Sequence, residues 1–139
     1  MKTEDIYKTF EHDKSSDELL YNTSLWEADL SFVKTETLFI QNIIKHFPFK
    51  SKVPNLYEQL QLFMQELTIA KTDSSNLIDK IYMHNNELHG ISECEDISCD
   101  NYYMVEYEKL AKDVFKFLNY YKHLKLNIYQ YINGIIKNE

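Results

Sequence analysis

The C-terminal part of the chain carries the pattern that most restricts its fold. From Tyr103 to Ile135, ten apolar or aromatic residues follow one another at alternating steps of four and three. Side chains at that spacing lie on one side of an α-helix, whereas those of a half-buried strand alternate at every second residue. The pattern therefore predicts one long amphipathic helix over about 100-137.

Two earlier segments show related patterns. One repeats an apolar residue every seven positions beginning at Leu19, and the other follows steps of four and three beginning at Leu56. They predict helices over about 16-47 and 55-89. Inside the second, Thr72-Asp73-Ser74-Ser75 is a run of four poor helix formers, so we expect a kink or a local break there.

The links between these segments are short, at 48–54 and 90–99, and short links place successive helices antiparallel. We therefore predict an all-α fold, an up-down-up bundle of three long antiparallel helices in a single domain at 15-139. Residues 1-14 are expected to form an N-terminal arm or a short helix.

Composition narrows the class of protein further. The chain has 139 residues, two glycines, two prolines and 44% hydrophobic residues, which suits one helical domain with its own core. It has no arginine and a net charge of -7, which argues against nucleic acid as a partner. We expect no membrane span and no signal peptide, and hence a cytoplasmic protein.

The apolar faces are wider than a three-helix core requires. Each predicted helix carries further apolar residues beside its main stripe, and an exposed apolar patch of this kind usually marks an interface. We therefore predict a homo-oligomer, most simply a homodimer. The residues that widen the faces are Leu25, Phe32, Phe39, Leu62, Ile69, Met83, Met104, Phe115, Leu118, Tyr129, Ile132 and Ile136.

Three carboxylates interrupt these apolar faces, namely Asp29, Glu36 and Glu66. Glu36 and Glu66 each have apolar neighbours three and four residues away, and the short links place both level with Tyr121 to Lys125, a segment that includes His123. Burying a carboxylate is costly unless it is paired or bound to metal. The favoured interpretation pairs them with lysines or tyrosine hydroxyls. The alternative is a transition-metal site made by Glu36, Glu66 and His123.

Such a metal layer is known from ferritin-like bundles. Those sites use Glu-x-x-His on two helices, and this sequence has no Glu-x-x-His. A second, weaker metal hypothesis combines His84 with Glu108. The simpler interpretation of His84 is a histidine at the edge of the core, satisfied by Glu18, Glu108 or a tyrosine.

The negative charge is concentrated at one end of the predicted bundle. Between Lys80 and Lys109 there is no lysine or arginine, and the seven acids there account for the whole net charge. We call this end the acidic tip and expect it to attract a basic protein partner or a cation. Its turn carries Glu93, Glu95, Asp96 and Asp100.

The same turn contains Cys94 and Cys99, with His84 and His89 before them. Two histidines and two cysteines suggest zinc, but the spacing is looser than in usual zinc knuckles. Free thiols are the favoured interpretation, and the surrounding acids are expected to slow their reactions.

Trp26-x-x-x-Leu30, Glu36, Phe63 and Ile78-Asp79 followed by His84 resemble small uncharacterised helical-bundle proteins of Bacteroidetes-type bacteria. The resemblance covers the first two helices and implies no activity.

The sequence therefore favours a non-enzymatic interaction or assembly module, with no cofactor expected. A metal-binding bundle is the first alternative, and a bundle that binds an apolar ligand between its helices is the second.

Overall fold

The computed structural model describes the backbone of residues 16–50, 52–91 and 97–136 and the side chains of residues 17–50, 52–87 and 102–136. Within that part, the chain forms three α-helices, which are α1 (Ser16–His46), α2 (Leu56–Ile91) and α3 (Ile97–Ile135). The all-α prediction is confirmed. The predicted N-terminal arm at 1-14 lies outside the described residues.

The three helices bury the stripes that the sequence marks. Burial of apolar surface contributes about 25 cal/mol per Å², so these stripes are the main source of stability. Each helix contributes at least one apolar side chain that is no more than 1% exposed, so the core runs between all three helices. These side chains are Leu30, Ile40, Leu67, Ala70, Ile81, Tyr107 and Ile128.

Contacts between helices define their directions. Ser74 of α2 donates a hydrogen bond to the carbonyl of Leu30 in α1 at 2.6 Å, and His84 of α2 stacks on Tyr103 of α3. Asn22 of α1 donates to the hydroxyl of Tyr107 in α3 at 3.1 Å. The chain therefore runs up, down and up. The start of α1, the end of α2 and the start of α3 lie together at the acidic tip.

Helix α2 continues without a break through residues 72–75, so the local break expected there is wrong, while the alternative of a kink stays a prediction. Thr72 donates its hydroxyl proton to the carbonyl of Thr68, one turn earlier, at 3.1 Å. Ser74 is fully buried, and its hydroxyl is satisfied by α1. Thr72 thus bonds to the backbone of its own helix, whereas Ser74 has its partner in α1 and does not compete for the backbone groups of α2.

The α1–α2 loop closes the end of the bundle opposite the acidic tip. Lys50 donates its backbone N–H to the carbonyl of Ile135 at 3.0 Å, next to an isolated bridge between Phe49 and Ile136. This bond satisfies one of the carbonyls that a helix leaves free at its C-terminus. Asn55 enters α2 with φ of 57°, a left-handed conformation that asparagine tolerates better than most residues.

The described helices are long enough to cross a bilayer, but none of them is apolar enough to do so. Many of their large apolar side chains are nevertheless exposed, and these are distributed over all three helices.

Candidate functional site

Glu36 is held by two groups of α3 at mid-bundle. The Tyr121 hydroxyl donates to Glu36 Oε1 at 2.7 Å, and Lys125 Nζ lies 2.9 Å from the same oxygen. Lys125 also lies 5.1 Å from the centre of the Tyr121 ring, within the range of a cation–π contact. The structure thus pairs Glu36 with a lysine and a tyrosine hydroxyl, as the favoured interpretation expects.

The Glu36 cluster also affects the acidity of Tyr121. Burial raises the pKa of the Tyr121 hydroxyl, and the hydrogen bond to the negative Glu36 raises it further. Tyr121 therefore stays protonated and acts as a donor. This arrangement links α1 to α3.

We predict that Tyr121→Phe lowers the free energy of unfolding by about 1–2 kcal/mol, since it removes a hydrogen bond to a charged acceptor. Urea unfolding followed by circular dichroism measures this loss. Tyr82→Phe is the matched control, because Tyr82 of α2 is exposed and its change is expected to stay within about 0.5 kcal/mol. Equal losses in the two variants would contradict a specific role for the Glu36 contact.

Glu66 lies at a similar level but between a different pair of helices. Burial raises the pKa of Tyr120 in α3, and the negative charges of Glu66 and Asp73 raise it further. Glu66 therefore lies on the side of α2 that faces α3. Tyr120 and Tyr121 point about 100° apart on α3, so Glu66 and Glu36 face different grooves. His123 is exposed.

The metal hypothesis requires several ligands at one point. Among the described residues, no group of three or more histidine, cysteine, aspartate or glutamate side chains is placed to hold a metal ion. Glu36, its central residue, is already engaged by Tyr121 and Lys125. The metal-binding alternative therefore stays a prediction that rests on the sequence pattern.

His84 is 5% exposed and lies in an aromatic cluster near the acidic tip. Its ring stacks on Tyr103 with 4.2 Å between centroids, and Tyr107 lies 6.0 Å away on the same helix. His84 Nε2 and the Tyr103 hydroxyl are both buried without a hydrogen-bond partner. The predicted tyrosine partner is present, but it contacts His84 through its ring face.

The charge that acts on His84 also differs from expectation. Burial lowers the pKa of His84, and the carboxylate of Glu106 partly offsets this shift. Glu108, one of the partners that the sequence suggests beside Glu18 and a tyrosine, is half-buried and lies about 200° further round α3 than Glu106. His84 is thus a neutral, buried imidazole at neutral pH.

We predict that the protein loses stability as the pH falls below the ordinary histidine pKa of 6.5. The unfolded chain binds a proton more readily than buried His84 does, so acid favours unfolding, by at most about 1.4 kcal/mol per pH unit for one group. Urea unfolding between about pH 7.5 and pH 5 measures this slope.

His84→Phe keeps an aromatic ring against Tyr103 and is expected to flatten the slope. His123→Gln, at an exposed histidine, is the matched control and should retain it. An unchanged slope in His84→Phe would show that another group causes the pH dependence.

A polar layer next to this aromatic cluster was not anticipated from the sequence. Thr23 of α1 is fully buried, and its hydroxyl lies 2.9 Å from the Leu20 carbonyl and 3.2 Å from Asn85 Oδ1 in α2. A heptad scan treats Thr23 as a gap in the stripe. Its burial could have been predicted from its spacing, because Thr23 lies four residues after Leu19 and seven before Leu30, on the same face of α1.

By helical phase, exposed apolar residues of α1 and α3 fall on the flanks of the two helices that the Glu36–Lys125 pair brings together. We call this surface the α1/α3 face and define it by Leu25, Phe32 and Phe39 of α1 and Phe115 and Tyr129 of α3. These five side chains are between 47% and 63% exposed. The residues that the sequence marked as widening the α1 stripe are thus left uncovered by α2 and α3.

The acidic tip is described only in part. Glu93, Glu95, Asp96 and Cys94 lie outside the described residues, and for Asp100 the structure gives the backbone alone, in the first turn of α3. The partner and cation hypotheses for this tip therefore stay predictions.

Comparison of the chain with protein-family models, curated proteins and solved structures found no match. The function is therefore argued from the surfaces of the bundle itself.

Proposed function

We propose that this chain is a non-enzymatic helical assembly module that self-associates into a homodimer through the α1/α3 face. The observation that carries the proposal is the exposure of Phe32, Phe39 and Phe115, each about three-fifths exposed, on one side of the bundle. Contiguous apolar surface of this kind is uncommon on monomers and usually marks a binding site for another protein.

The area of the face is sufficient for a dimer. With roughly 150–250 Å² on each aromatic side chain, the five exposed residues present about 500 Å² of apolar surface. A standard interface buries roughly 800 Å² on each partner, somewhat more than half of it apolar. The face therefore supplies the apolar core of an interface, with polar neighbours forming its rim.

The spacing on α1 also suits a symmetric partner. Leu25, Phe32 and Phe39 are seven residues apart, so the row is centred on Phe32. In an antiparallel two-fold dimer, Phe32 meets Phe32 of the second copy, and Leu25 meets Phe39. An interface that uses the same patch on both subunits requires this kind of self-complementary row.

Charge favours the same orientation. The acidic tip holds the seven acids that make up the net charge, and two such tips repel each other when they lie side by side. An antiparallel dimer places them at opposite ends. We therefore propose that a second copy of this chain binds the α1/α3 face.

Sedimentation equilibrium or light scattering of the purified chain tests the proposal. We expect twice the chain mass of 16.7 kDa at concentrations of about 10 μM and above. A monomer mass up to about 1 mM would overturn the proposal, since it would leave the face without its proposed occupant.

A further inference from the structure

Two charged residues lie among the apolar side chains of the α1/α3 face. Asp29 of α1 lies three residues before Phe32. Lys122 of α3 lies seven residues after Phe115 and seven before Tyr129. Residues three or seven apart share one side of a helix, so both charges belong to this face. Both side chains are exposed, including that of Asp29, which the sequence marks as a carboxylate within an apolar face.

These two charges are not neutralised within the subunit. In the described part of the chain, Asp29 and Lys122 take part in no ion pair and no side-chain hydrogen bond. Glu36, on the same side of α1, is bonded to Tyr121 and Lys125 and not to Lys122. A charge inside an apolar interface is costly unless it is paired. In an interface formed by this face, each of the two charges therefore needs a partner on the second copy.

The contacts between α1 and α3 give the level of Lys122 along the bundle. Tyr121 and Lys125 both reach Glu36 of α1, so Lys122, which lies between them in sequence, is within about a turn of Glu36. Glu36 is about one turn beyond Phe32, on the side away from the acidic tip. Lys122 is therefore displaced from Phe32 by about 5 Å toward the end opposite that tip.

An antiparallel dimer brings the two charges to one level. Asp29 is displaced from Phe32 by about 4.5 Å in the other direction, toward the acidic tip. When Phe32 meets Phe32, the tip of the partner points the opposite way, so Asp29 of the partner subunit and Lys122 lie on the same side of the two-fold axis. Their levels nearly coincide, and the flexible four-carbon stem of lysine spans the remaining gap.

We propose that Lys122 forms an ion pair with Asp29 of the partner subunit, once on each side of the two-fold axis, and that these two pairs fix the antiparallel register of the dimer. The inference rests on the proposed homodimer. Apolar faces tolerate sliding along each other, whereas complementary charges favour one register. A parallel arrangement leaves Asp29 and Lys122 about two turns apart, so both charges stay unpaired.

Charge reversal tests the pair by sedimentation equilibrium of the full chain. Asp29→Lys and Lys122→Asp are each expected to weaken dimerisation at least about tenfold, because each places like charges together at both copies of the pair. The combined variant restores opposite charges and is expected to return the dissociation constant to within about threefold of that of the unmodified chain. Both positions are exposed, so the fold should persist, which circular dichroism verifies.

The matched controls carry the same changes of charge on α2, outside the α1/α3 face. Asp79→Lys and Lys80→Asp are at exposed positions. Salt at about 0.15 M screens charges that lie more than about 8 Å apart, so each control should leave the dissociation constant within about threefold of the unmodified value.

Carbodiimide cross-linking gives a direct readout of the same contact. This reagent condenses a carboxylate with an amine that lies beside it, so we expect an amide between a peptide that contains Asp29 and one that contains Lys122. In a mixture of unlabelled and isotopically labelled chains, a cross-link of mixed isotope content shows that the amide joins two subunits.

The inference is overturned if the combined variant dimerises no more tightly than the single variants, or if the single variants behave as the α2 controls do. It is also overturned if the cross-link joins only peptides of one isotope. Under each of these outcomes the unmodified chain can still have the mass of a dimer, so the ion pair fails alone. An unmodified chain with the mass of a monomer overturns both proposals.

Discussion

Replacing both Phe32 and Phe39 with glutamate is expected to weaken homodimerisation at least about 100-fold, equivalent to about 2.7 kcal/mol. In the proposed antiparallel dimer these two rings form the centre of the interface, where a few aromatic residues usually carry most of the binding energy. The substitutions remove that apolar area and place unpaired carboxylates in the interface, which is costly. Sedimentation equilibrium over a concentration series measures the change.

The matched control changes two other exposed aromatic residues in the same way. Tyr57 and Tyr82 of α2 are both exposed and lie outside the α1/α3 face. Tyr57→Glu combined with Tyr82→Glu adds the same charge and removes similar apolar area, yet should leave the dimer intact. If both double variants dissociate equally, charge alone explains the effect and the α1/α3 face is not the interface.

The largest expected loss of stability comes from Tyr107→Ala, at about 3–5 kcal/mol. Tyr107 is fully buried, its ring lies 5.2 Å from Trp26 and 6.0 Å from His84, and its hydroxyl accepts a hydrogen bond from Asn22. It thus contacts one residue of α2 and two of α1 from its place on α3. Truncation leaves a cavity at the point where the three helices meet.

Urea unfolding at a fixed protein concentration measures this loss, since the stability of a dimer depends on concentration. Tyr107→Phe keeps the ring, so its loss should be limited to about 1 kcal/mol for the hydroxyl contact. Tyr82→Ala, at an exposed tyrosine, is the surface control and should change stability by about 0.5 kcal/mol or less. A loss in Tyr107→Ala no greater than that in Tyr82→Ala would contradict the central packing role of this residue.

Glu36 and His84 illustrate how far the sequence could predict individual contacts. For Glu36, helical phase and the short links were enough to place it near Tyr121 and Lys125, which are its partners in the structure. For His84, the same reasoning indicates a position at the edge of the core, with Glu18, Glu108 or a tyrosine as its partner. In the structure Glu106 is the carboxylate that acts on His84, and Glu108 lies about 200° further round α3.

The run at residues 72–75 shows a different limit. Helix propensity correctly marks these residues as poor helix formers, yet propensity is a local preference. Helix α2 continues through them, and the buried hydroxyl of Ser74 donates its proton to the Leu30 carbonyl of α1. That partner lies 44 residues earlier in the chain and exists only after the helices have packed.

The sequence by itself determined the three long helices and which stripe of each is buried, because apolar periodicity acts through backbone geometry within a single segment. It also determined where the charge lies along the chain. The tertiary structure alone decided which polar side chains meet, which apolar residues remain on the α1/α3 face, and that Asp29 and Lys122 lie exposed on that face without an ion pair in the described part of the chain. These features depend on the rotation and the axial shift of one helix against another. Side chains from all three helices together set this rotation and this shift, so no single stretch of sequence specifies them.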